Sequence, residues 1–114
     1  MSNMILIKSF RASDEISPYC IVAARTDGMV ATASGKTDKL LGSADSMGAK
    51  VGDMVDICQS GWSEVICGAN VSFGDFLTSD AKGFAIKVIA ATERTIGVAM
   101  SDGSAGDVIP FRVI

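Results

Sequence analysis

Gly35-Lys36-Thr37 is the triplet with the plainest chemical precedent in this 114-residue chain. A phosphate-binding loop ends in Gly-Lys-Ser/Thr, where backbone amides cradle the phosphates and the lysine meets their charge. That loop also needs a glycine five positions earlier and a helix afterwards. Here the earlier position is Val30, and a short polar turn into a strand follows. Lys36 therefore reads as a solvated loop lysine.

The pairs Gly52-Asp53, Gly74-Asp75 and Gly106-Asp107 could supply oxygen ligands for calcium or an acid pair. Calcium loops gather several carboxylates within about a dozen residues, whereas these pairs are isolated. The structural alternative explains them better: glycine turns the chain, and aspartate caps the turn through nearby backbone. Cys20, Cys58 and Cys67 form no Cys-x-x-Cys pair, and the sequence has no histidine. The thiols are expected to be reduced and partly buried. With no histidine to activate a serine or cysteine, and no Gly-x-Ser-x-Gly elbow, nucleophilic catalysis has no support. Trp62, Tyr19 and five phenylalanines are too scattered for a base-stacking platform. The expectation is no catalytic, metal or cofactor residue, and no enzyme.

Whatever these residues do, short strands and turns must position them. Apolar residues make up 48% of the chain and charged residues 20%, with twelve glycines against two prolines, a composition of many turns in one domain. The net charge of −3 gives no general attraction for nucleic acid or anionic membranes. Met4-Ile5-Leu6-Ile7 is far shorter than the roughly 20 apolar residues that span a bilayer. It lacks the flanks of a secretory signal, so the chain is expected to be made and kept in the cytosol.

No window carries an apolar 3.6-residue period with a cap at each end. The fold class is therefore all-β, with at most one helical turn over 43–50. Strands are expected at Met4–Phe10, Cys20–Ala24, Met29–Ala33, Leu40–Leu41 and Met54–Gln59, with Arg25-Thr26-Asp27-Gly28 as a hairpin turn. The second half repeats the first at an offset of 55 residues: Phe76-Leu77 follows Ile21-Val22, Gly83 follows Gly28, Gly97 follows Gly42, and Gly106-Asp107 follows Gly52-Asp53 after a one-residue deletion. Two copies, over about 21–57 and 76–111, suggest a compact β-barrel or β-sandwich built from two pseudo-twofold repeats. Residues 1–18 would form an N-terminal strand or arm.

Between Met54 and Cys67, parity favours a hairpin with a three-residue loop, Gln59-Ser60-Gly61, and Gly61 left-handed. That register gives Val55, Ile57, Val65 and Cys67 one core face, and it separates Cys58 from Cys67. The other face would carry Met54, Cys58, Trp62 and Ile66, with Asp56 directly across from Glu64. Like charges so placed are unfavourable by roughly 0.2–1 kcal/mol. An exposed tryptophan beside them marks a candidate protein contact for a basic partner; the alternative is that the N-terminal strand or a loop of the same chain covers this face. In the N-terminal segment, Ile5, Leu6, Ile7 and Phe10 are further contact candidates if it reaches a neighbour as an added strand; otherwise it closes the chain's own barrel.

In order and spacing, several signatures resemble the small capsid decoration, or cement, proteins of tailed bacteriophages. They are the opening Met4-Ile5-Leu6-Ile7-Lys8-Ser9-Phe10, Tyr19-Cys20-Ile21-Val22, Thr37-Asp38-Lys39-Leu40-Leu41-Gly42, Thr78-Ser79-Asp80-Ala81-Lys82-Gly83 and Ile96-Gly97-Val98-Ala99, with Ala105-Gly106-Asp107 near the end. The resemblance implies a virion component on the outer surface of an icosahedral shell. It would be a homodimer or homotrimer that cements neighbouring major capsid protein subunits, with no catalytic residues, no cofactor, and no nucleic-acid or membrane partner. A small-molecule or glycan-binding β-barrel is the competing class, and it would need a pocket with polar groups converging around aromatics.

Overall fold

Short aliphatic runs between glycine turns become strands almost one for one. The first half holds β1 (Asn3–Arg11), β2 (Ile21–Ala24), β3 (Val30–Thr32), β4 (Leu40–Ser43) and β5 (Met54–Ile66); the second holds β6 (Phe76–Ser79), β7 (Ala85–Lys87), β8 (Gly97–Ala99) and β9 (Val108–Val113). The computed structural model describes residues 3–114, with side chains from Ile7 onward. Thr26–Gly28 forms a 3-10 turn between β2 and β3; the stretch 43–50 makes turns and bridges. The protein is all-β. Among the described residues no helix is long and apolar enough to cross a membrane.

The strands form a six-stranded sheet, β1-β5-β9-β8-β6-β7, and a three-stranded sheet, β3-β2-β4. A bridge between Ala44 and Ile57 joins the small sheet to β5, and a parallel bridge between Ala12 and Val30 returns the chain after β1 to β3. The first-half strands thus run in a circuit around Ala12, Ile16, Val22, Val30, Val55 and Ile57, all buried. The same pairings recur 55 residues on. Val22 opposite Thr32 recurs as Leu77 opposite Lys87, and Phe10 opposite Val55 as Val65 opposite Ile109. Ala44 opposite Ile57 recurs as Ala99 opposite Phe111, and Ala12 beside Val30 as Cys67 beside Ala85. Cys67, Val71, Leu77, Ala85, Ile109 and Phe111 form the second apolar cluster, joined by Ile21, Ala23 and Ala33 from the first half.

One expected element is corrected. β5 runs unbroken for 13 residues where parity predicts a hairpin at Gln59-Ser60-Gly61. Gly61 does take a positive φ of 91°, but it bends the strand instead of reversing it, opposite a register slip in β1 between Met4 and Leu6. The two ends of β5 have different partners: Met54–Trp62 lies along β1, and Trp62–Ile66 lies along β9. Neither end needs the other. Odd positions share a face in a continuous strand too, so Val55, Ile57, Val65 and Cys67 are all buried although their partners differ from those expected.

β1 belongs to the six-stranded sheet. Its backbone from Asn3 to Arg11 pairs antiparallel with β5 of the same chain, as a strand of its own sheet. It is the first strand in the sheet order, so its other edge has no strand neighbour among the described residues.

Two glycines act through space. A Cβ on Gly42 would lie 2.7 Å from the Cys58 carbonyl oxygen, and one on Gly97 would collide with the Arg112 carbonyl. These are matching points where β4 and β8 close on the strand beyond. The β2–β3 turn is held by charge: Arg25 Nη1 and Nη2 donate to Asp38 Oδ1 and Oδ2 at 3.0 and 2.9 Å. The Ser34 and Lys39 amides donate to the same carboxylate.

Two outcomes follow for stability. Gly97→Ala should cost about 3 kcal/mol or prevent folding, because the collision is with backbone; chemical denaturation measures it. The Arg25 guanidinium, with the Ser34 and Lys39 donors, holds the Asp38 carboxyl well below the usual carboxylate range despite the opposing effect of burial. Its contribution is therefore complete above the unfolded value of about 3.9 and is lost as pH falls below that toward the folded value. Asp38→Asn should lower stability by about 1–2 kcal/mol at pH 7 and flatten the acid limb of a stability–pH curve.

Candidate contact surface

Direct cross-strand partners project to the same side of a sheet, so the pairings of β5 define its outward face. In the first half Met54 lies opposite Arg11, Asp56 opposite Ser9 and Cys58 opposite Ile7. In the second, Trp62 lies opposite Arg112, Glu64 opposite Pro110 and Ile66 opposite Val108. Met54 is 55% exposed, Ile7 46%, Val108 41% and Trp62 37%. The face therefore alternates accessible apolar side chains with Arg11, Asp56, Glu64 and Arg112.

Some candidates stand elsewhere than expected. Asp56 and Glu64 are not cross-strand partners, since the strand between them does not reverse. The Ser9 hydroxyl donates to Asp56. Both carboxylates nevertheless border one cleft of about 230 Å³, together with Tyr19, Asp45 and Ser46. Cys58 is 1% exposed, so it is withdrawn from the surface; its thiol donates to the Ser60 carbonyl at 3.1 Å, and burial pushes its pKa up. Phe10 packs against the first-half cluster, which ties it to the core. The side chains of Ile5 and Leu6 lie outside the described residues. Ile66 is half-buried, and its amide donates to the Tyr19 carbonyl at 3.1 Å.

The residues with chemical precedent take structural places. The Lys36 carbonyl accepts from the Arg94 amide at 2.8 Å, in a loop with no helix after it. Asp75 and Asp107 accept from the Ser72 and Ser104 amides, each at 2.9 Å, as turn caps. All three cysteines are buried and unpaired, and burial raises the Cys20 and Cys67 thiol pKa values.

The sequence reading passed over a second stretch of the same sheet. Trp62 pairs with Arg112, Arg112 with Val98, and Val98 with Phe76, so the four form a row across β5, β9, β8 and β6. Phe76 is 55% exposed. The signal was available: Phe76 aligns with Ile21 at the repeat offset, and treating the two as equivalent hid their different surroundings.

No family model and no curated protein sequence matches the chain. Its fold is similar to that in the crystal structure of the N base of head fiber gp8.5 in bacteriophage phi29. The match has a TM-score of 0.71 and 18% sequence identity, over 96% of this chain and 93% of that one.

If the outward face of β5 serves contact more than core packing, Trp62→Ala should cost about 1 kcal/mol or less in denaturant unfolding. Phe111→Ala, at a position with no exposure, should cost about 3–5 kcal/mol. A core-sized loss at Trp62 would remove this residue from the contact surface.

Proposed function

We propose that the protein is a structural component of a phage virion that binds the outer surface of the icosahedral capsid and cements neighbouring major capsid protein subunits. The observation that carries this reading is the fold shared, over nearly the whole of both chains, with the base of a phage head fiber. The ordered sequence signatures that resemble capsid decoration proteins support it independently. So does the character of the surface: exposed Met54, Trp62 and Ile7 beside Asp56 and Glu64 suit a protein partner that brings apolar contacts and a basic side chain.

The mechanism is multivalent binding by a small homo-oligomer, a dimer or trimer. Linked contacts with several capsid subunits raise avidity without any single strong site. The protein offers a rigid body for that purpose, with its contact residues on paired strands. A ligand-binding β-barrel has less support: the cleft at Tyr19 has a single aromatic in its lining, and the roomier cleft of about 610 Å³ beside Pro18 and Met47 has none, whereas small-molecule pockets are lined mainly by apolar and aromatic side chains.

Purified protein mixed with expanded empty phage shells and sedimented should pellet with them. Raising salt from about 0.05 to 0.5 M should weaken the contact, because screening shortens the reach of surface charge. Glu64→Gln with Asp56→Asn should reduce both the binding and its salt dependence. A well-folded protein that stays in the supernatant of its cognate shells would sink the capsid-binding reading.

A further inference from the structure

The two halves repeat each other's strand pairings yet bury their outer faces unequally. In the first half the row equivalent to Trp62–Arg112–Val98–Phe76 is Ile7–Cys58–Ser43–Ile21. Ile21 is 0% exposed where Phe76 is 55%; Ser43 and Cys58 are each 1% exposed where Val98 is half-buried and Arg112 exposed. The cover over Ile21, Ser43 and Cys58 is the second half of the same chain, while Ile7 at the end of the row stays 46% exposed. Gly83 accepts from the Ile21 amide at 2.7 Å, Glu64 accepts through its carbonyl from the Ser43 hydroxyl at 2.8 Å, and the Ile66 amide donates to Tyr19.

This contact is not reciprocal. Gly28, the counterpart of Gly83, has nothing within 4 Å of where its Cβ would be, whereas a Cβ on Gly83 would lie 3.1 Å from the Ile21 carbonyl oxygen and closer still to the Thr32 methyl. The halves therefore pack head to tail, leaving one unfilled copy of each side. The unfilled covering side is the turn Thr26–Gly28 with the outer edge of β1, the counterparts of the Gly83 turn and of the β5 segment 58–66. The unfilled covered side is the row centred on Phe76.

We propose that these surfaces meet between copies of this chain: the Thr26–Gly28 turn and β1 edge of one copy dock on the Phe76–Val98–Arg112 face of the next. Charge fits that placement. Lys87 stands where Thr32 stands in the internal contact, and Asp27 adjoins Gly28, so docking brings Asp27 of one copy to Lys87 of another; both are exposed. The continuous strand β5 is replaced there by two separate strands, the end of β9 in one copy and the start of β1 in the other. Such a contact is heterologous, and it closes into a ring where the rotation permits. The inference rests on the self-association proposed above and names the surfaces that make it.

Sedimentation velocity of the full chain over a range of concentrations tests it. Wild type should associate. Phe76→Asp and Asp27→Lys should each weaken association at least tenfold; Phe76→Asp should leave the thermal melt unchanged because its side chain is exposed, and Asp27→Lys should lower it only slightly, since lysine suits the φ of 59° there less well than aspartate. Asp27→Lys combined with Lys87→Asp should regain it. A mixture of the Phe76→Asp and Asp27→Lys proteins should give dimers and nothing larger, because each supplies the surface the other lacks. Wild type monomeric at every concentration would overturn this inference and the self-association together. An oligomer untouched by Phe76→Asp, or a mixture that gives no dimer, would overturn the interface alone. Loss of shell binding by Phe76→Asp with the oligomer intact would assign the face to the capsid protein instead and overturn the interface.

Discussion

β5 is the constraint on which the rest of the structure depends. It is last in the first half's circuit of strands and first in the second's, and it meets β1 along one length and β9 along the other. A hairpin at Gly61 would have paired the two lengths with each other and left β1 and β9 without their central partner. Because the strand continues, the first half closes around one apolar cluster and the second around another that also takes in Ile21, Ala23 and Ala33, and β5 contributes to both. The bend at Gly61, with its positive φ, then sets how one half is aimed at the other.

Recurring pairings with different side chains show which features of each half the backbone requires. The turn between β2 and β3 keeps the same backbone bond in both halves: the Arg25 amide donates to Met29 at 2.8 Å, and the Asp80 amide to Phe84 at 2.9 Å. The side chains that fix it differ. In the first half Arg25 reaches out to Asp38, whose carboxylate also gathers two amides. In the second, Asp80 alone accepts from the Lys82 and Phe84 amides. The close approaches at Gly42 and Gly97, by contrast, use the same residue, because no side chain fits beside the carbonyl beyond.

Much of the fold was legible in the sequence because turn chemistry is local. The strands around Ile21, Val30, Leu40, Leu77 and Ala85, and the hairpin turn at Arg25–Gly28, follow from apolar runs and glycines a few residues apart. The face parity of Met54–Cys67 was legible for the same reason. Partner choice was not, since a positive-φ glycine within a polar trio serves a reversal and a bend equally well. Exposure was half legible. Parity placed Met54 and Trp62 on the outward face, where both are exposed, but Cys58 shares that parity and is buried. Parity assigns a side chain to a face and says nothing of what later covers that face.

That last point also explains why sequence repetition misleads about surface. Positions such as Val22 and Leu77, or Ile57 and Phe111, remain apolar in both halves because each faces a closed cluster. Positions such as Ile21 and Phe76 are apolar in both although only the first is covered within the chain. Solvent alone would favour a polar residue at the second, as Arg112 stands where the first half has Cys58. Phe76, 55% exposed at the start of the strand next to the sheet's edge, offers an assembling molecule apolar area to bury. In a fold whose turns leave its chemistry-bearing residues with structural work, function has to be sought in such differences between equivalent positions.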